Sequence, residues 1–284
     1  MKEKPADKAD RAKVDSKKPM NKYEQDEYAA VVVWKNAEPS VVDKTIGFLF
    51  KPASWLIEKV VPQKAIEGCL IAFDKAADFL TDTRDVIRDG SVTDLKELQS
   101  KDLRLSDELA NGVHNWALAM AGAEGGATGL AGLPGIIIDI PTLITMCLRV
   151  IHKIGVCYGF EVESDTDHSF VFGVLSAASA NTMKEKMTAM GLLQKINVMV
   201  AKTTWKRLME KAATSKQGLP ALIVAIKALA KQLGINLTKR KVAQAIPVIG
   251  AAVGGAINVA FVNDVAWAAR RMYQERWLMV NRRI

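Results

Sequence analysis

The run Ala245-Ile246-Pro247-Val248-Ile249-Gly250-Ala251-Ala252-Val253-Gly254-Gly255-Ala256-Ile257-Asn258-Val259-Ala260-Phe261-Val262 holds 18 residues and no charged side chain. That length meets the lower limit for a membrane-span candidate, and a buried core helix also passes the same test. Three features argue against a simple span. Alanine supplies little hydrophobic drive, Pro247, Asn258 and the glycines interrupt the apolar character, and both flanks are basic where a spanning helix favours one side. Gly250 and Gly254 form a GxxxG spacing that lets helix backbones approach closely in lipid or in a protein core. The run therefore reads as a close-packing helix that is buried, touches a membrane reversibly, or spans one.

A second stretch of the same kind lies upstream. Gly122, Gly125, Gly126, Gly129, Gly132 and Gly135 recur mostly every three or four residues, which lines small residues along a helix face. A phosphate-cradling loop is the sharper alternative. Neither GxGxxG nor GxxxxGK[ST] is present, and the preceding element reads as a helix rather than a strand. Ile136-Ile137-Ile138-Asp139-Ile140-Pro141 follows. Asp139 reads as the N-cap of a helix with Pro141 in its first turn. Its alternative role is a buried acid paired with a base such as Arg149, or a proton-sensitive trigger for insertion.

Outward from these stretches the chain patterns as amphipathic helices. Helices are expected over 23–37, 63–88 and from a Ser106 cap onward, with a start signal at Pro39-Ser40 and a capping box at Ser164 with Asp167. Thr182 and Glu185 repeat that signature before a helix whose Met183, Met187 and Met190 read as core packing. A further helix is expected from Gly218, stopped by Gly234, with Thr238 capping the last section. Residues 1–20 hold seven basic and four acidic side chains and read as a disordered charged tail ahead of one helical domain, 21–284.

Hydrophobic residues make up 49% and aromatics only 6% of the 284 residues, a balance of Ala, Leu, Ile, Val and Met that favours helix over strand. The predicted fold is all-α, a single multi-helix domain with its two Gly-rich apolar segments packed at its centre. Cys69, Cys147 and Cys157 lie in apolar sequence without framework spacing, so they read as reduced, buried thiols. The charged N-terminus has no apolar h-region, which leads us to expect a cytoplasmic protein.

A net charge of +8 suits anionic partners. No zinc-finger spacing or RNP-like strand points to specific nucleic acid binding. His114, His152 and His168 form no HExxH, no GxSxG elbow is present, and Asp167-His168-Ser169 are neighbours that point apart on a helix. No catalytic residue, cofactor or metal is therefore expected. The ending that carries Trp267, Arg270, Arg271, Tyr273, Arg276 and Trp277 mixes headgroup-seeking aromatics with arginines and reads as a surface for anionic lipid, or as a helix docked on the body.

Gly132-Leu133-Pro134 through Asp139-Ile140-Pro141, then Arg149-Val150-Ile151 and Tyr158-Gly159, resembles the first signature of the EcsC protein family, and Ile246 through Asn258 resembles its second. The resemblance covers roughly 40–280, with the charged tail as an addition. It implies a bacterial protein working near the membrane, beside a transporter, secretion or envelope system, and it supplies no mechanism. The expected function is a non-enzymatic protein peripheral to the inner face of the cytoplasmic membrane. A soluble scaffold or adaptor is the second reading and a hydrolase the third.

Overall fold

A computed structural model describes residues 17–39, 63–76, 82–129, 132–207, 231–237 and 250–284. Among these residues the regular secondary structure is all helical, with no strand, as composition predicts. The helices are α1 (Lys22–Asn36), α2 (Gln63–Ala76), α3 (Arg84–Asp89), α4 (Leu103–Gly129), α5 (Gly132–Cys157), α6 (Asp165–Ala178), α7 (Met183–Arg207) and α8 (Gly250–Val280). A 3₁₀ turn, Leu95–Gln99, precedes α4, and a short helical segment occupies 231–237.

Three long helices form the centre. α8 runs antiparallel to α4 in a constant register: Gln274 donates to Asp107 at 2.7 Å, Arg270 to Asn111 at 3.1 Å, and Asn263 bonds His114 at 3.0 Å. Farther along, Gly122 meets the Val259 side chain, its absent Cβ falling 3.5 Å from Cγ2. α8 runs parallel to α5, since Asn258 donates to Asp139 at 3.3 Å and the Tyr273 ring covers Gly155. The C-terminal end of α4, the N-terminal end of α5 and the N-terminal end of α8 thus share one pole of the bundle. The described parts of the two glycine-rich stretches, 122–129 with 132–135 and 250–262, lie in that pole, inside helices rather than loops, while 130–131 and 245–249 lie outside the described residues.

At the opposite pole, aromatic packing takes over. Tyr273 is fully buried among Tyr158, Phe160 and Phe170, with ring centroids 6.2, 5.9 and 4.9 Å away. Gly155 admits this ring only because it lacks a side chain: an added Cβ would stand 2.5 Å from the Tyr273 Cζ. Gly159, at φ +79°, takes the left-handed conformation that ends α5 against the 3₁₀ turn. α6 opens with the expected capping box, Ser164 and Asp167 exchanging hydrogen bonds, and Thr182 accepts from the Glu185 amide at 3.2 Å at the start of α7. α7 packs on α6, where Leu193 presses against Gly173.

Several local expectations are corrected. Ser106 is no N-cap, because α4 begins at Leu103 and Ser106 is buried inside it. The helix expected over 63–88 is described as two, α2 and α3; residues 77–81 lie outside the described residues. Gly234 does not stop its helix, which continues to residue 237. Met187 is 53% exposed, since the buried face of α7 is set by Lys186, Ala189, Met190, Leu193 and Asn197. The start signal at Ser40, most of the helix expected from Gly218, and Thr238 fall outside the described residues. Just after the charged N-terminus, the Lys18 amide donates to the Arg282 carbonyl at 2.8 Å and Arg283 donates to the Pro19 carbonyl at 2.6 Å, so the chain docks a few residues before Asn21.

Candidate functional site

The pole that gathers the glycine-rich stretches is distinguished by what it lacks. From His114 to Gly129, α4 carries one charged residue, Glu124; from Gly132 to Leu148, α5 carries one, Asp139; from Gly250 to Asn263, α8 carries none. At 1.5 Å per residue these spans make an end about 20 Å tall in which the three helices carry two acids and no lysine or arginine. Helix α2, packed on α5 where Cys69 reaches the Pro141 carbonyl at 3.7 Å, brings Lys64 and Glu67 alongside it. On α4 this end presents apolar surface: Trp116 is 55% exposed, and Ala119, Met120 and Ala123 follow on the same exposed face. Gly250 lies at the first turn of α8 and Gly254 one turn on, at the level of the α4 glycines.

Inside this end, Asp139 is 3% exposed and takes the Asn258 amide. It is not the N-cap expected from the sequence. α5 starts seven residues earlier, at Gly132, and passes through Pro141 without a break. A proline within a helix forfeits a hydrogen bond and crowds the preceding turn, but here buried Ile140, Leu143 and Ile144 hold the helix on both sides of it. Arg149 is not its partner either. It stands ten residues farther along α5, on an exposed position.

The register sets the height of the remaining predicted residues. Asp139 pairs with Asn258, so Arg149 stands level with Trp267, and His114 of α4 meets the Trp267 ring edge-on at 5.3 Å. Trp116, Arg149, Trp267, Arg270 and Arg271 therefore occupy one band around the bundle, where the sparsely charged end gives way to the charged body. Trp267 is half-buried beneath two guanidinium groups, those of Arg270 at 4.5 Å and Arg271 at 4.9 Å.

The lower part of the predicted lipid surface is corrected. Tyr273, Arg276 and Trp277 are buried, because α8 is the central helix of the bundle and not an appended one. Trp277 donates its indole N–H to the Leu98 carbonyl at 3.1 Å. Arg276 donates to Asp167 at 2.6 Å and is flanked by the Phe160 and Phe170 rings at 4.5 and 5.0 Å. These are the contacts of a core, not of a surface.

A polar cluster that the sequence reading missed joins α1 to this core. Asp107 accepts from Tyr23 at 2.7 Å, from Gln274 at 2.7 Å, and from Tyr158. Glu27 accepts from Arg271 at 2.6 Å and from Gln274 at 2.9 Å. Burial pushes the Asp107 carboxyl above its ordinary range, opposed by the three hydrogen bonds, and raises the Tyr23 and Tyr158 phenols. Lys186 donates to the Trp34 carbonyl and, at 2.7 Å, to that of Ala37, so it ties the end of α1 to α7; burial lowers its pKa. The missed signal was spacing. Leu103, Asp107, Ala110, His114, Ala117 and Ala121 form one buried stripe, so Asp107 and His114 stood at core positions.

Among the described residues no three His, Cys, Asp or Glu side chains stand together as a metal site. Cys147 and Cys157 are free and buried, with the Cys157 thiol pushed up to about 12 by burial, a setting for packing rather than nucleophilic attack. Asp167 is committed to Arg276 and to the cap of α6.

Comparison with known proteins gives the chain a family. No solved structure matches it. It is 24% identical over 187 residues to the uncharacterized protein YdbA of Bacillus subtilis (strain 168), a match covering 65% of this chain and 62% of that relative's length. Residues 25–278 match the EcsC protein family, nearly the whole of the helical body just described, and the chain belongs to that family.

Proposed function

We propose that the protein is a non-enzymatic, peripheral membrane protein that attaches through the sparsely charged pole of α4, α5 and α8 and serves a transporter, secretion or envelope system at the inner face of the cytoplasmic membrane. The observation that carries this is the end-to-end polarity of the bundle. An end about 20 Å tall exceeds the roughly 15 Å hydrocarbon depth of one leaflet. Its border carries the residue types that settle at headgroups, the exposed Trp116 and Arg149 and the half-buried Trp267. The charged body below would remain in water. The apolar window Asp139–Cys157 is long enough to cross a bilayer, but 67% of it is buried inside the protein, which favours attachment over a span.

That same burial favours the second reading, a soluble scaffold whose glycine-rich helices are simply core. Cell fractionation separates the two. The attached protein is expected in the membrane fraction, released by alkaline carbonate, and expected to float with vesicles. Replacing the exposed Trp116 and Met120 with Asp should abolish flotation and leave the melting temperature within a few degrees. A wild-type protein that remains in the supernatant in both assays refutes attachment, and carbonate resistance replaces it with a span.

A further inference from the structure

Arg270 is 9% exposed, and among the described residues it forms no ion pair with a carboxylate. Its Nη1 donates to Asn111 at 3.1 Å, its plane lies over Trp267 at 4.5 Å, and its Nε has no hydrogen-bond partner. Elsewhere on α8 the arginines are neutralised: Arg271 holds Glu27 and Arg276 holds Asp167, each at 2.6 Å. A guanidinium stays charged at any physiological pH, and a buried charge without a counter-charge is costly. His114, on the edge of the same Trp267 ring, cannot balance it, since an imidazole is neutral or cationic, and burial together with the Arg270 charge lowers its pKa.

The surroundings are built for an acceptor. Asn111 commits its Oδ1 to Arg270, which leaves its amide NH2 free to donate on an exposed stretch of α4, and exposed Asn115 lies one turn on. The nearby acids among the described residues are engaged elsewhere: Asp107, one turn before Asn111, accepts from Tyr23, Tyr158 and Gln274. Exposed Glu108 lies one turn below, Glu27 is engaged by Arg271 and Gln274, and the charge of Asp264 acts on Lys186. Arg270 also stands at the lower border of the sparsely charged pole, the depth at which a bound bilayer would place its phosphates.

We infer that the α4–α8 groove at Asn111, Trp267 and Arg270 binds the phosphate group of an anionic lipid headgroup, with the guanidinium as its charge partner. This rests on the membrane attachment proposed above. Two variants test it in flotation with vesicles of phosphatidylglycerol in phosphatidylcholine. Arg270→Gln should lower partitioning about fivefold, the worth of one basic residue at such a surface. Asn111→Asp, at an exposed position, supplies the missing carboxylate, so it should raise or preserve the melting temperature while reducing partitioning at least as much. On vesicles made anionic with oleate, which lacks phosphate, only the surface-charge part of the loss remains, so both variants should fall less far than on phosphatidylglycerol, and an equal fall on the two vesicles overturns the phosphate assignment.

Equal binding of wild type and Asn111→Asp to phosphatidylglycerol overturns the inference and leaves membrane attachment standing. Failure of the wild type to float on any vesicle overturns both. Saturable quenching of tryptophan fluorescence by inorganic phosphate, lost in Asn111→Asp and without flotation, assigns the groove to a free phosphate and also overturns the lipid source.

Discussion

The Asp167–Arg276 pair offers a direct test of whether the aromatic and arginine-rich ending of α8 is core. Its partners are 12% and 6% exposed, and the guanidinium is sandwiched between Phe160 and Phe170. Removing one member of a buried pair leaves an uncompensated charge and costs about 3–5 kcal/mol. Asp167→Ala should lose that much, with about 1 kcal/mol more from the α6 capping box, in which Asp167 accepts from the Ser164 amide at 3.2 Å and hydroxyl at 2.6 Å. Arg276→Met with Asp167→Leu removes both charges and fills the site. It should be less destabilised than Asp167→Ala alone, because replacing a whole buried pair by apolar groups is often close to neutral.

Arg276→Glu is the sharpest member of the set, since it buries two carboxylates against each other. On a lipid-facing helix the same change would reduce vesicle binding and leave the fold intact; in this core it should prevent folding or lower stability by at least about 3–5 kcal/mol. Urea unfolding followed by tryptophan fluorescence reads all four proteins, with exposed Arg149→Glu as the control. An Arg276→Glu variant within about 0.5 kcal/mol of that control, the usual range for surface changes, would sink the assignment of Arg276 to the core.

Two other outcomes follow from the same packing. Gly155→Ala places a Cβ 2.5 Å from the Tyr273 ring, so overpacking of about 1–3 kcal/mol should outweigh the gain of about 1 kcal/mol in helix propensity; Gly112→Ala meets nothing within 4 Å and should stabilise by up to about 1 kcal/mol. Thermal melts that move in the same direction for both variants would refute this account of Gly155. At Asp107 the folded state holds its proton more tightly than the unfolded state, whose carboxyl titrates near about 3.9, so its contribution to stability is full below that pH and is lost as pH rises toward the raised folded value. Asp107→Asn should flatten that decline in a series of urea titrations across pH, and an unchanged pH profile would exclude Asp107 as its source.

Helix starts were legible where a side chain and a backbone amide close a local ring, as at Ser164 with Asp167 and Thr182 with Glu185, because such rings need only three or four residues of sequence. Ser106 and Pro141 misled for the opposite reason. Each carries a local start signal that tertiary packing overrides: Leu103 and Ala110 draw the α4 start back past Ser106, and Ile140, Leu143 and Ile144 carry α5 through Pro141. The ending of α8 was misread because Trp, Tyr and Arg look alike on a lipid-facing helix and in a core. What separates the two is Asp167, 109 positions away from Arg276, which local reading cannot place.

Both ends of the bundle depend on close approach, but they achieve it with different chemistry. At the aromatic pole a single glycine, Gly155, makes room for Tyr273, and each nearby charge is answered by name: Arg276 by Asp167, Arg271 by Glu27, Lys35 by Glu275. Such a region holds one arrangement, because moving any helix strands a buried charge. At the glycine pole α4, α5 and α8 carry small side chains and, besides Glu124 and the Asp139–Asn258 pair, no charged residue to strand. Displacing helices there forfeits mainly dispersion and apolar burial, which a bilayer can restore and water cannot. The chain thus places its irreplaceable contacts at one end and its exchangeable ones at the other, the distribution expected of a body that keeps its shape while one end meets lipid. Hydrogen exchange with and without anionic vesicles would expose this asymmetry. Amides of Gly250–Asn258 should change protection on binding, while those of Arg270–Leu278 should hold theirs, and a uniform response along α8 would contradict it.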